Sequence, residues 1–389
     1  MTVPEPFTVS IDDAVLDDLR RRLERVRWPG EPVDAGWRYG ANLDYMRRLV
    51  DYWRDGFDWR AAEARINRFA QFTAPVPGDD GAPIEIHYIH EPGSGDHPLP
   101  LLLLHGWPGS IAEFLDIIAP LAHPERFGGE AADAFTVIAP SLPGYGFSGA
   151  PPAPIGPRAM AGMFSRLMTE ALGFDRYVAQ GGDWGSTICA RIAVDFPTGL
   201  KALHVNMVPL RPHLGPDAPP LTAAEKEWVK AVRDRQKAET AYQDVHATKS
   251  QSLAYGLSDS PVGLAAWIVE KFHSWSDDSA DEPGFTMDQL LTNVMIYWVT
   301  GCMNTSTWLY RGLREEGSLS LAPGQRVAPP LGFCLPPNDL IPPPPKSWLE
   351  RLGNVQSDTR LASGGHFTAL EKGPELVADM RRFFRAHAR

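Results

Sequence analysis

The chain is short of cysteine: Cys189, Cys302 and Cys334 are all it has in 389 residues. So sparse and odd a count excludes a disulfide framework and fits free thiols in a reducing compartment. Long apolar runs are missing too. The longest, around Leu99 to Leu104, falls far short of the ~18 residues that span a bilayer. Met1 to Val15 carries neither an apolar core nor a cleavage signal of the secretory kind. The expectation is a soluble, cytoplasmic protein with no membrane partner. Positive charge is in deficit, with 37 Lys and Arg against 48 Asp and Glu and a net charge of −11. An acidic chain has no general attraction for nucleic acid or anionic lipid. Arg20, Arg21, Arg22 and Arg25 alternate with Asp and Glu and read as a solvated helix face. Internal repeats are absent. The 35 glycines and 37 prolines stay below the ~25–30% share that marks low complexity, so disorder, collagen and coiled coil are excluded.

What is present is an ordinary apolar fraction arranged in two rhythms. Ser10 can cap a helix whose first turn carries Asp12 and Asp13, with Val15, Leu16, Leu19, Leu23 and Val26 at helical spacing. Pro29-Gly30 should stop it. Further helices are predicted over Leu43 to Arg54 and from Trp59. Ile84, Ile86 and Tyr88 alternate with polar residues as in a half-buried strand. From Leu99 the pattern becomes strand, turn, helix, repeated: Leu101 to Leu104, Phe135 to Ala139, Tyr177 to Ala179 and Leu203 to Val208, each followed by a turn or helix. That alternation means a mostly parallel α/β sheet flanked by helices. It breaks off over residues 209–325, which read as proline-rich and then helical, and resumes at Leu331 to Leu335 and around Thr359 to Ala362. The division that follows is an N-terminal segment with first strands (1–97), a core part (98–208), a helical lid (209–325) and a second core part (326–389).

Gly181-Gly182-Asp183-Trp184-Gly185 lies between a strand and a helix. Small residues around one central side chain are the signature of a nucleophile elbow, a tight turn that lifts that side chain above the sheet. The usual occupant is serine. An aspartate is already ionised at neutral pH, so it attacks without a base, displaces a leaving group at saturated carbon and becomes an ester. A capping aspartate at a helix N-terminus is the alternative for these five residues alone. His105-Gly106-Trp107-Pro108-Gly109 follows an early strand, where this architecture takes one backbone donor of its oxyanion hole. The donors would be the N–H groups of Trp107 and Trp184. Gly364-Gly365-His366-Phe367 follows the final strand and places His366 where a general base belongs in the order nucleophile, acid, histidine. The orienting acid should follow an intervening strand. Asp339, in Pro336-Pro337-Asn338-Asp339, fits better than Asp217, with a turn aspartate as the alternative.

These residues, with the N-terminal segment and the lid, resemble the microsomal and juvenile-hormone type of epoxide hydrolase over nearly the whole chain. Tyr52-Trp53-Arg54 and Phe57-Asp58-Trp59 are similar to that family's N-terminal region, and Ser258 to Leu264 and Leu291 to Val294 to its lid helices. The resemblance implies the α/β-hydrolase fold with a helical lid and an epoxide-hydrolase-type N-terminal segment. It implies no cofactor and no metal. It also implies two lid tyrosines that hydrogen-bond the epoxide oxygen, which fall by motif on Tyr242 and Tyr310. A phenol is a neutral acid suited to an opening epoxide; aromatic lid packing is the alternative. Two departures stand out. Membrane-bound members carry an N-terminal anchor and this chain starts at the globular part. The orienting acid is often Glu and here reads Asp.

The substrate expected is a small apolar epoxide, aromatic ones included, in a pocket to which Trp308 and Phe147 would contribute. A biosynthetic and a detoxifying role, and a homo-oligomer, are left open. A haloalkane dehalogenase also uses Asp followed by Trp, but has no need of paired tyrosines. A serine hydrolase would need Ser186 or Ser110, neither of which stands at the elbow centre. A non-catalytic small-ligand receptor on the same fold would have to explain nucleophile, acid and base in the right order.

Overall fold

The computed structural model describes residues 4–277 and 282–388. Three residues of the N-terminal segment, residues 278–281 of the insertion and Arg389 lie outside the described residues. Among the described residues nine strands form one sheet: β1 (Glu5–Phe7), β2 (Gln71–Pro77), β3 (Pro83–Glu91), β4 (Leu99–Leu104), β5 (Phe135–Pro140), β6 (Tyr177–Gly181), β7 (Leu200–Val205), β8 (Val327–Leu335) and β9 (Gly353–Arg360). Their order is β1-β2-β3-β5-β4-β6-β7-β8-β9. The strands from β5 to β9 pair in parallel, while β1, β2 and β3 run antiparallel along one side. β5 and β6 are buried along their whole length and β4 along nearly all of it, as continuous apolar runs require when helices cover both faces. The chain runs from β4 to β5 on one side and then to β6 on the other. The carboxyl ends of β4 and β6 therefore flank a topological switch point, where open α/β sheets form their binding crevice. This is the α/β architecture expected from the sequence.

Helices α1 (Asp13–Leu23), α2 (Leu43–Asp55) and α3 (Trp59–Ile66) build the N-terminal segment. The sheet is flanked by α4 (Ile118–Ala122), α5 (Pro157–Arg166) and α6 (Asp183–Asp195). Between β7 and β8 stand α7 (Ala223–Glu239), α8 (Ala241–Asp259), α9 (Pro261–Ser274), α10 (Met287–Thr300) and α11 (Met303–Glu316). The chain closes with α12 (Lys346–Leu352), α13 (Thr368–Glu371) and α14 (Gly373–His387). Among the described residues no helix is long and apolar enough to cross a membrane. The three cysteines are buried and free.

Several local expectations shift. Asp12, not Ser10, caps α1 by accepting from the Ala14 N–H. β7 ends at Val205 because Asn206 turns inward, accepting from Gln180 Nε2 at 2.8 Å and donating to Thr368 Oγ1 at 3.1 Å. β9 runs Gly353–Arg360, earlier than Thr359 to Ala362: an edge strand of mixed polarity carries little apolar signal. β1 and β2 had no sequence signal, one being three residues long and the other holding two prolines.

Candidate active site

Asp183 opens α6 directly after β6 and has a φ of 46°, left-handed backbone for a residue with a Cβ. Such a conformation costs about 1–3 kcal/mol and persists only where the surroundings fix it. Here backbone crowding fixes it. A Cβ on Gly185 would stand 2.0 Å from the Leu104 carbonyl oxygen, and one on Gly106 would stand 2.0 Å from Asp183 Oδ1. The glycines thus let β4, the loop after it and the elbow close on one another, with the Asp183 carboxylate between them.

That carboxylate is held at both oxygens. The Trp107 N–H donates to Oδ1 at 2.7 Å, and His366 Nε2 lies 3.4 Å from Oδ2. On its other side His366 Nδ1 is 2.7 Å from Asp339 Oδ1. Both His366 and Asp339 are buried. The structure therefore brings Asp183, His366 and Asp339 into one chain of contacts. Burial works against a charged His366. The Asp339 charge, the hydrogen bonds that Asp183 and Asp339 accept and the Asp183 charge together outweigh it and hold the imidazole well above the usual histidine range. The loop carrying His366 is itself pinned. Its N–H donates to the Trp275 carbonyl at 2.8 Å, and the Gly365 and Phe367 N–H groups both donate to the Glu371 carboxylate.

Tyr242 on α8 and Tyr310 on α11 close over this group. Their rings meet edge to face at 5.7 Å. Tyr242 stacks on the Trp107 indole at 4.8 Å, and Tyr310 stands edge-on to the Trp184 indole at 5.1 Å. Both phenols are buried, and burial, reinforced by the nearby Asp183 charge, pushes both well above the usual phenol range. They therefore remain neutral hydrogen-bond donors. The Tyr242 hydroxyl accepts from Gln243 Nε2 at 3.1 Å, whereas the buried Tyr310 hydroxyl has no hydrogen-bond partner among the described residues.

A cavity of about 360 Å³ reaches Asp183 and Trp184. Trp228, Val229, Leu340, Ile341 and Trp348 supply much of its wall. Phe147 and Trp308, expected here, are not among its walls. Phe147 instead packs against His87 and Phe7, with ring centres 5.2 and 5.7 Å away. Trp308 is two residues from Tyr310 on α11, and ~100° of rotation per residue turns the two to opposite faces. A larger groove, of about 770 Å³, lies between the N-terminal segment and the start of α9 and holds none of these residues.

Sequence reasoning missed two residues that support the site. Asn293 Nδ2 donates to the Pro108 carbonyl at 2.8 Å and its Oδ1 accepts from Ser110 at 2.7 Å. The Tyr297 hydroxyl donates to the Gly109 carbonyl at 2.7 Å. Together they tie α10 to the loop that presents the Trp107 N–H. The available signal was a polar residue within the buried face of α10. The two serines weighed as nucleophiles have structural duties: Ser186 donates to the Asp183 carbonyl at 2.6 Å, and Ser110 caps the turn Ile111–Phe114. Among the described residues no group of three or more His, Cys, Asp or Glu is placed to hold a metal ion.

Residues 4–114 match the family model described as epoxide hydrolase N terminus, and residues 100–300 match the alpha/beta hydrolase fold. Epoxide hydrolase 1 of Sus scrofa is 35% identical over 405 residues, covering 97% of this chain and 88% of its own length. Juvenile hormone epoxide hydrolase 2 of Ctenocephalides felis is 33% identical, with 97% and 84% covered. Among solved structures, the Aspergillus niger epoxide hydrolase superposes with a TM-score of 0.85 at 34% identity, over 99% of this chain and 96% of that one. The juvenile hormone epoxide hydrolase of Bombyx mori also reaches 0.85, at 27% identity, over 99% and 95%. With matches of this length and identity, the chain belongs to the epoxide hydrolases of the α/β-hydrolase fold and is a hydrolase.

Proposed function

We propose that the enzyme converts an apolar epoxide into a vicinal diol through an ester on Asp183. The observation that carries this reading is the contact chain Asp183–His366–Asp339, with one carboxylate oxygen of Asp183 held by the Trp107 N–H. Asp183 Oδ2 attacks an epoxide carbon and the ring C–O bond breaks. The departing oxygen takes a proton from the phenol of Tyr310 or Tyr242, each kept neutral by its surroundings. Oδ1 becomes the ester carbonyl oxygen.

Alkylation also removes the charge of Asp183. His366 then has one neighbouring anion fewer, so its affinity for a proton falls; it releases its proton to solvent, to take one back when the Asp183 charge is restored, and turns into a base. It takes a proton from water, whose oxygen attacks the Asp183 carbonyl carbon. The oxyanion forms on Oδ1, against the Trp107 N–H and, in the assigned hole, the Trp184 N–H. Collapse releases the second alkoxide, which takes the proton from His366. The remaining proton of that water leaves the reformed carboxyl group and restores the phenol, so epoxide and water together balance the diol. In this scheme the insertion α7–α11 acts as a lid that shuts water and substrate into one chamber.

A single turnover in ¹⁸O-water tests the ester. The first diol should carry no label and Asp183 should take it up. Label in the first-turnover diol would mean direct attack by water and would overturn the mechanism.

One observation favours a second reading. Among the described residues, the buried indole N–H groups of Trp107 and Trp184 have no hydrogen-bond partners and could receive a halide. Competition between a chloroalkane and an epoxide of the same size decides. Diol without halide release supports the epoxide reading.

A further inference from the structure

The cavity that reaches Asp183 has a distinctive charge pattern. Apart from Asp183, no carboxylate among the described residues lines it, although the chain carries a net charge of −11. Its other charged residues are two cations, Arg211 and Arg233. Both are exposed, as is Leu214 beside them at 48%, whereas the Asp183 side chain is only 14% exposed. Asp183 thus marks the inner end and the two arginines the outer end. Most arginines on this surface are paired with Asp or Glu. Among the described residues, Arg211 and Arg233 make no ion pair and no side-chain hydrogen bond. The position of Arg211 is nonetheless fixed. Its N–H donates to the Leu319 carbonyl and its own carbonyl accepts from Leu321, each at 2.9 Å. Arg233 is carried by α7. Between the two ends the wall is apolar, with the Trp228 and Trp348 rings 4.6 Å apart.

We infer that the epoxide this enzyme takes is an apolar chain or ring system ending in a carboxylate, which Arg211 and Arg233 hold at the cavity mouth while the epoxide meets Asp183. This deepens the function proposed above and rests on it. The guanidinium fork matches a carboxylate in a charge-assisted pair, and neither arginine has to give up another partner to form it. The charges also set direction. An anion entering first is repelled by Asp183. An anion entering last is retained by the arginines, so the epoxide is delivered to the nucleophile.

The test compares unbranched ω-epoxy alkanoic acids of increasing length with their methyl esters, with styrene oxide as a neutral epoxide. The wild-type kcat/KM should favour acid over ester by about tenfold or more, the size of one charge-assisted hydrogen bond. The preference should peak at the chain length that spans the cavity, and should shrink as salt is raised. In the double variant Arg211→Gln, Arg233→Gln the acid-to-ester ratio should fall to near one. Lys226→Gln, an exposed cation on the same helix but outside the cavity, should keep the wild-type ratio. Equal turnover of acid and ester by the wild type overturns the inference, as does a preference that survives in the double variant or is lost equally in Lys226→Gln. Failure to turn over any epoxide, neutral or anionic, overturns the epoxide reading and this inference with it.

Discussion

The sheet and the helical insertion contribute to the same site in opposite ways. The sheet side supplies charge, and each charged group there is held. Asp183 is held by the Trp107 N–H and His366, His366 by Asp339, and the His366 loop by Glu371. The insertion supplies neutral phenols held by packing, on Trp107, Trp184 and each other, and leaves the Tyr310 hydroxyl unpaired among the described residues. The difference has a physical reason. A buried charge without partners costs several kcal/mol, so a charged catalyst has to be built into a network. A buried hydroxyl left unpaired costs about 1–3 kcal/mol, which the fold can bear, and it stays available for a ligand atom.

The comparison can be broken at its strongest point by removing a charged member. His366→Gln should lower steady-state turnover by about 10²–10⁴-fold, the worth of a general base. The ester should then accumulate and appear in intact mass as protein plus substrate. Slow turnover without that adduct would remove His366 from the hydrolytic step. Next come the phenols. Tyr310→Phe should slow ester formation by about 10²-fold and ester hydrolysis much less, measured in pre-steady-state mixing. Tyr242→Phe should cost less, because its hydroxyl is already shared with Gln243. A larger loss at Tyr242, or a loss confined to hydrolysis, would reverse the roles given to the two rings. Smaller again is Asn293→Ala, which joins the two regions. It leaves the Pro108 carbonyl unpaired and should lower stability by about 1–3 kcal/mol in chemical denaturation. Its effect on kcat should be smaller than that of either phenol change.

The same contrast explains what could be read from the sequence. The parallel strands and the elbow were legible because backbone constraints write themselves into residue type: apolar runs at β4 and β5, glycines around Asp183, and a glycine pair before His366. Tyr242 and Tyr310 were legible only by resemblance, since no local rule makes a helical tyrosine face a nucleophile. Phe147 and Trp308 do not line the cavity that reaches Asp183, for the same reason. An aromatic residue near a motif in sequence says little about which face it occupies. The Asn293 and Tyr297 clamps and the arginine-lined mouth depend on contacts between elements more than a hundred residues apart, and single-chain patterns do not record those. Asp339, which lies 2.7 Å from His366 Nδ1, was singled out by chain order alone, among prolines that gave it no other signal.

The smallest expected effect concerns Glu113, a carboxyl group on the turn behind the Trp107 loop. Burial pushes its pKa up to about 8, with His366 opposing and Asp183 adding to the shift. A raised carboxyl pKa means the folded chain binds the proton more tightly than the unfolded one. Stability from this group therefore falls as pH rises from the ordinary carboxylate range, and levels off above about 8. Other groups move in the same interval. The buried His87 and His105, pushed down to about 3 and about 4, make stability rise with pH up to the ordinary histidine range. His366, raised, makes it fall only above that range. Absolute curves therefore mix the terms, but the difference between Glu113→Gln and the wild type isolates one. The variant should gain on the wild type steadily between pH 5 and pH 8, by about 1–4 °C in unfolding midpoint, and no further beyond. A difference that stays constant across that range would place Glu113 ionised in the folded enzyme, a third negative charge beside Asp183 and Asp339. That further charge would raise the proton affinity of His366, and in the proposed mechanism its return to a base on alkylation of Asp183 would be correspondingly harder.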